Sequence, residues 1–282
     1  MGELVLAAKI THVPSLMLSE QIEPLKGTRD GPIRSLKLLG ERARERGADT
    51  FVVFDTHWIS NFGFHINANP WHRGTYTSPE APQMVNGIAY DFAGNPELAD
   101  LMAAETARTG PLALAHQVAT LPVEYGTIVP MHYMNKGQAF SVVPVASPVF
   151  ASVDENKRFG EAVRRAVAKS KNKVAILASG SLSHQLFPNS QLGPEAWNRI
   201  SSEFNRQMDL RVLDLWKKRR YAEFCAMLPD YTRKCSGEAL MADTAMLFGA
   251  LGWDRYLGKS EQLCDYFPSS GSGQVTVEFH VN

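Results

Sequence analysis

The chain has 282 residues, 44% of them hydrophobic and 21% charged, the balance of a globule with a sizeable core, which excludes bulk disorder. Lys plus Arg number 29 and Asp plus Glu also 29, so the formal net charge is zero. That balance argues against a nucleic-acid binder working through a basic face and against polybasic attachment to a membrane. Cys225, Cys235 and Cys264 are widely spaced and form no Cys-x-x-Cys pair, which argues against a thiolate zinc knuckle or a dithiol redox motif. Reduced thiols in a cytoplasmic protein are expected instead. Met1-Gly2-Glu3-Leu4 does not open a charged and then long apolar leader, and no window approaches ~18 apolar residues.

In chain order, Leu4 to Ile10 reads as a buried strand ending at Thr11-His12. Residues 32 to 46 show helical spacing, with Ile33, Leu36 and Leu39 on one face. Phe51 to Phe54 is a second buried strand, ending at Asp55-Thr56-His57, and Phe62 to Asn67 alternates as a third. Asn95-Pro96-Glu97 is a helix start, with a cap, a proline at the first position and an acid; that helix runs to about Arg108. Phe140 to Ala146 is a strand, and Asp154 opens a helix through Val167. Lys173 to Ala178 is another buried strand, ending in Ser179-Gly180-Ser181-Leu182-Ser183-His184. Long helices are expected from Pro194 to Lys218 and from Glu238 to Leu251, and Val275 to Val281 alternates as a last strand. Interleaved strands and helices make the class α/β, with a central mostly parallel or mixed sheet flanked by helices and a site at the strand C-terminal ends. A single catalytic domain over 1–282 is expected, since α/β chains of this length often fold as one unit.

Of eight histidines, His12, His57 and His184 share one context: each stands just past the C-terminal end of an apolar strand. Ligands of open α/β sheets bind in the crevice beyond those ends, so three imidazoles distant in sequence can converge there. Neutral imidazole is the commonest metal ligand, and two histidines with one carboxylate leave coordination positions open. A third histidine beside a metal suits acid/base work. Asp55 either orients the His57 ring or caps the turn that follows. Spacing does not choose the carboxylate among Glu124, Glu238 and Asp243. The Ser179–His184 string is not a nucleophile elbow, because Leu182 and His184 stand where that motif needs serine and glycine.

Five strings then carry a resemblance from end to end: residues 6–15 with Thr11-His12-Val13-Pro14-Ser15, residues 53–58 with Asp55-Thr56-His57-Trp58, residues 124–131, residues 177–184 and residues 267–275. With them the chain resembles the class III extradiol ring-cleaving dioxygenases, the superfamily of the protocatechuate 4,5-dioxygenase β subunit. The resemblance implies a mononuclear Fe(II) held by His12, His57 and Glu238, with His184 as acid/base. It implies a catechol and O2 as reactants, ring opening to a muconic semialdehyde, and a carboxymethyl-bearing substrate, 3,4-dihydroxyphenylacetate or a close carboxylated catechol. It also implies a homo-oligomer.

Many members of that superfamily carry Asp-His-Gly where this chain has Glu124-Tyr125-Gly126, so a second proton role passes to Tyr125, to His116 or to neither. The loop Pro268 to Gly273 is rich in small residues; its backbone N–H groups, with Ser269, Ser270 and Ser272, suit a substrate carboxylate. His132 is a further anion partner that no spacing selects. Two other readings stand beside this one: a relative without redox chemistry that uses the pocket to bind protein, and a zinc hydrolase on the same ligands.

Overall fold

The computed structural model describes every residue except Pro24, Gly193, Pro194 and Asn282. In chain order its elements are β1 (Glu3–Ile10), α1 (Ser15–Gln21), α2 (Asp30–Glu45), β2 (Thr50–Ser60), β3 (Phe64–Asn67), β4 (Trp71–Tyr76), β5 (Ile88–Ala93), α3 (Pro96–Ala107), β6 (Ala113–His116) and α4 (Tyr125–Met134). There follow β7 (Ser141–Pro148), α5 (Val153–Lys169), β8 (Lys173–Ser179), α6 (Glu203–Lys217), α7 (Tyr221–Lys234), α8 (Ala242–Leu251), β9 (Ser260–Gln262), β10 (Phe267–Ser269), β11 (Ser272–Gln274) and β12 (Val277–Phe279).

Eight strands form one mixed sheet in the order β6-β3-β7-β2-β8-β1-β12-β9. Its centre is parallel: β2 pairs with β7 and β8, and β8 pairs with β1. Strands buried on both faces read as continuous apolar runs, and alternate residues serve opposite layers. Val52 and Phe54 of β2, with Ile176 and Ala178 of β8, face a core shared with α3, α5 and α8. Phe51, Val53 and Leu177 face the other core, with residues of α2 and α4. The β4–β5 and β10–β11 pairs are two-stranded ribbons outside this sheet.

The expected helix start at Asn95 is observed: its side chain accepts from the Leu98 N–H at 3.0 Å, with Pro96 in the first turn. For α5 the cap is Ser152, whose side chain and that of Glu155 each accept from the other's backbone N–H; the helix starts one residue before Asp154. Two helix expectations need correction. The helix predicted from Pro194, a residue outside those described, begins only at Glu203, where Ser202 caps it. The helix predicted from Glu238 is split: Glu238–Met241 is a short turn in which Ala239, Leu240 and Met241 all have positive φ (42°, 57° and 57°), and α8 follows from Ala242. Three consecutive left-handed non-glycine residues are strained by roughly 1–2 kcal/mol each.

Helices α5 and α8 meet backbone to backbone. A Cβ on Gly160 would fall 1.9 Å from the Met246 carbonyl oxygen, and one on Gly249 would fall 2.2 Å from that of Lys157. Neither neighbour is a flexible side chain, so Gly160→Ala must push the helices apart. Chemical denaturation of that variant is expected to show a loss of about 1–3 kcal/mol. Unchanged stability would mean that the two helices have slack at this crossing.

Candidate active site

Parallel registration sets three strand ends level. Ser179 of β8 is paired with Ile10 on one side and with Asp55 on the other. His12 therefore stands two residues beyond the β1 edge, and the 179–184 turn leaves β8 at the same height. His57 differs from expectation. It lies within β2, in a bulge between Asp55 and Ile59 where the pairing to β7 slips. The bulge re-aims the side chain toward the crevice. Asp55 holds it there: one carboxylate oxygen accepts from the backbone N–H of His57 (2.8 Å) and Trp58 (3.2 Å), the other from the Thr127 hydroxyl (2.7 Å). Asp55 thus caps the turn and does not touch the ring. Gly126 makes room, since a Cβ there would lie 2.1 Å from an Asp55 carboxylate oxygen.

The fourth side chain arrives on the left-handed turn. Its backbone is stitched to the 179–184 segment by Glu238 N–H to Leu182 O (3.3 Å) and by a bridge between Ser183 and Gly237. The buried Glu238 carboxylate accepts from the Ser181 N–H at 2.5 Å and from the Thr56 hydroxyl. One of its oxygens lies 3.3 Å from His12 Nε2 and 3.5 Å from His57 Nε2; the other lies 3.3 Å from His184 Nδ1. Burial alone would raise this carboxyl, but His184, His12 and His57 together hold it well below the usual carboxylate range.

The Ser179 hydroxyl donates to the Gly126 carbonyl at 2.5 Å, so its contact with His12 Nδ1 at 2.9 Å is an N–H donated by the ring. His12 Nε2 then faces the Glu238 oxygen. Burial, followed by neighbouring His12, pushes His57 down to about 3, so this imidazole is neutral. Two imidazoles and a carboxylate, with ligand atoms all within 4.8 Å of one another, fit a divalent cation. Second-layer contacts of the kind that fix metal-binding imidazoles are present: Ser179 behind His12, and the Glu80 carboxylate 3.5 Å from His57 Nδ1.

His12, His57, His184, Glu238 and Tyr125 line one cavity of about 310 Å³. Glu80 and Met84, from the segment joining β4 to β5, close one side, and Ser269, Ser270 and Ser272 close another. The Tyr125 ring packs against that of His57 with centroids 3.7 Å apart, and its hydroxyl donates to Glu80 at 2.5 Å. Burial and Glu80 both raise the Tyr125 hydroxyl, so it keeps its proton. The turn bearing His184 is anchored by buried Asp209, which accepts from the Ser183 N–H (3.2 Å), the Ser183 hydroxyl (2.7 Å), Tyr231 (2.5 Å) and Tyr266 (2.6 Å).

Several expected residues lie elsewhere. His116 is on β6 at the sheet edge, its Nε2 2.6 Å from His65 Nδ1, and it does not line the cavity. Its place in the chain, nine residues before Tyr125, does not bring it near, because β6 pairs with β3 at the far side of the sheet. His132 is exposed on α4. Glu124 accepts from Tyr76, and Asp243 is buried against Lys9 at 2.5 Å. The backbone anion nest expected at 268–273 also fails: the N–H groups of Ser270, Gly271 and Gly273 already donate to the carbonyls of Trp197, Arg199 and Ser183. Ser272 donates to the Ser269 carbonyl at 2.5 Å, which leaves the hydroxyls of Ser269 and Ser270. Glu80 and Asp209 stand in no recognisable spacing and were not foreseen from the sequence; Ser179 lay within the 177–184 string with no role given. Thr56 and Ser181 likewise stood in the quoted strings without a role.

The family model described as the catalytic LigB subunit of aromatic ring-opening dioxygenase matches residues 6–280. The chain belongs to this family. It is therefore an extradiol ring-cleaving dioxygenase, an oxidoreductase of a metal-dependent kind, and the cluster above is a candidate metal site on the wall of its cavity. The chain is 46% identical to a 3,4-dihydroxyphenylacetate 2,3-dioxygenase of Escherichia coli over 262 residues, 92% of this chain and 94% of that one. It is 24% identical to the β subunit of a Pseudomonas 2-aminophenol 1,6-dioxygenase, over 99% and 95% of the two chains. An uncharacterized Escherichia coli K12 protein of known crystal structure shares the fold, with a TM-score of 0.67 and 14% identity over 97% of this chain and 99% of that one. No helix among the described residues is long and apolar enough to cross a membrane.

Asp209→Ala would leave a buried N–H and three hydroxyls without their acceptor. Urea unfolding is expected to show a loss on the order of 3 kcal/mol. Turnover should fall through displacement of His184 while metal content holds. Full stability and full turnover together would show that Asp209 anchors nothing.

Proposed function

We propose that this dioxygenase uses Fe(II), held by His12, His57 and Glu238, to open the ring of 3,4-dihydroxyphenylacetate next to its diol, placing both atoms of O2 in a muconic semialdehyde. The observation that carries the reading is the triangle of two imidazoles and one carboxylate, with ligand atoms all within 4.8 Å of one another, on the wall of a cavity. Two histidines and one carboxylate with open positions are the donor set of non-haem Fe(II) oxygenases. The 46% identical relative, named for 3,4-dihydroxyphenylacetate, supports the choice of substrate.

When bound, the metal supplies Lewis acidity toward the catechol oxygens and the electron chemistry that dioxygen needs. The chain supplies geometry and protons. The cavity holds the catechol with its diol toward His12, His57 and Glu238, which fixes the ring carbon to be attacked. His184 stands beside that end, its Nδ1 hydrogen-bonded to Ser181 at 2.9 Å, so its ring is fixed while it takes a hydroxyl proton and later returns it. Tyr125, protonated and covering the other side of His57, is the second donor, in the position where many relatives have histidine. His116, paired with His65, does not line the cavity and is not part of this reading. At the other end the Ser269 and Ser270 hydroxyls meet the substrate carboxylate. Self-association as a homo-oligomer belongs to the same reading, and sedimentation velocity tests it.

Metal analysis after anaerobic purification tests the choice of metal: stoichiometric iron supports Fe(II), and another divalent metal in its place would overturn it. His12→Ala, His57→Ala and Glu238→Ala are each expected to lose iron and turnover together. A variant with full iron and full turnover would remove that residue from the ligand set. His184→Gln should keep iron and bind catechol while turnover falls ~10²–10⁴-fold. Loss of iron would make His184 a ligand instead, and near-normal turnover would end the acid/base assignment. Tyr125→Phe should keep iron and slow turnover by ~10²-fold; wild-type turnover would reject its role as donor.

A further inference from the structure

Arg29, at the start of α2, is only 3% exposed, yet every polar partner it has is neutral. Its Nε donates to the Ser15 hydroxyl at 3.1 Å, Nη1 to the Asn198 side chain at 3.2 Å, and Nη2 to the carbonyls of Pro268 (3.0 Å) and Trp197 (3.4 Å). Among the described residues no carboxylate pairs with it. Arg42, by contrast, is answered by both Glu261 and Glu278. Rings of Phe267 and Trp197 stand 4.6 and 5.1 Å from the Arg29 guanidinium, which favours a cation there but does not neutralise it. Burial pushes Arg29 down to about 10, still well above neutrality, so the charge persists. A buried charge without a counter-charge is costly unless something supplies one.

The path from this charge to the cavity is one hydroxyl long. The Ser15 hydroxyl, which accepts from Arg29, lies 3.3 Å from the Ser269 hydroxyl, and Ser269 lines the cavity. The guanidinium occupies one lone pair of the Ser15 oxygen and leaves its proton free; when Ser15 gives that proton to Ser269, the Ser269 O–H is released to an acceptor in the cavity. Glu80 and Glu238 line the same cavity beside the histidines. The cavity therefore has acids at its metal-binding end and a cation behind its serine end.

We propose that Arg29, acting through Ser15, is the positioning residue that makes the Ser269 end selective for a catechol with an anionic side chain. The proposal rests on the substrate reading above and adds to it the source of the charge. The bound carboxylate is the counter-ion that the guanidinium lacks, and the acids at the other end disfavour the reversed pose.

The test compares 3,4-dihydroxyphenylacetate with neutral 4-methylcatechol on iron-replete wild type, Arg29→Gln, Arg29→Lys and Ser15→Ala. For Arg29→Gln, KM for the acid should rise ~10–100-fold with kcat nearly unchanged. The kinetics on 4-methylcatechol should hardly move. Arg29→Lys should keep part of the preference, and Ser15→Ala should lose part of it. Equal losses on both catechols would reduce Arg29 to a brace for the 197–198 and 267–268 segments and overturn the proposal, as would an unchanged preference. A wild type that turns over both catechols alike would defeat the carboxylate reading itself, and this inference with it. If Arg29→Gln does not fold, Ser15→Ala decides: a selective rise in KM for the acid supports the relay, and an unchanged KM overturns it.

Discussion

A carboxylate buried without partners would be among the least tolerable groups in a protein interior. Glu238 is buried, and the surrounding structure is arranged so that it is answered from every side. Thr56 and Ser181 donate to it, and three imidazoles from three different strands or turns face it. Those groups meet because β1, β2 and β8 run parallel and end level. A one-residue slip between β1 and β8 would turn side chains to the wrong face and leave Glu238 exposed to unmatched charge. The sheet's register and the site's electrostatics are therefore one constraint.

Each imidazole is held from behind by a group that takes no part in binding. Ser179 fixes the tautomer of His12, Asp55 fixes the backbone that carries His57, and Asp209 fixes the turn that carries His184. Below them Lys9 and Asp243 pair with neither exposed, close enough to Gly180 that a Cβ there would meet both side chains. Such a pair adds little net stability against an apolar replacement, but loss of one partner would leave the other charged and alone beneath the site. Polar residues that look extravagant in a core make sense here as a foundation, since they fix where the three rings stand around Glu238.

Much of this was legible in the sequence. Buried strands announce themselves as apolar runs, and the polar residues that end three of them are where an α/β sheet exposes its chemistry. Choosing Glu238 over Glu124 and Asp243 came only with the family resemblance. The structure shows why spacing could not do it: the other two acids are engaged by Tyr76 and by Lys9. His57 was expected past a strand end and lies in a bulge, because three residues of β2 looped out between consecutive partners on β7 leave no mark on either sequence. Glu80 was invisible for another reason. It comes from an irregular segment between β4 and β5, and only tertiary packing brings that segment over the cavity. Helix α7, with Pro229 inside it, was not read from the sequence at all; it forms because its apolar face packs on the core.

The left-handed turn after Glu238 sets a limit on how this protein can be improved. Three successive residues there adopt a backbone that glycine accepts far more readily. Replacement by glycine at Ala239, Leu240 or Met241 would relieve strain in the folded state, and stability-guided redesign would favour it. The same change would give the unfolded chain more freedom and the carboxylate more ways to point. Ala239, Leu240 and Met241 thus trade ease of folding for a fixed aim, and a sequence optimised for melting temperature alone would drift away from the centre that Glu238 completes.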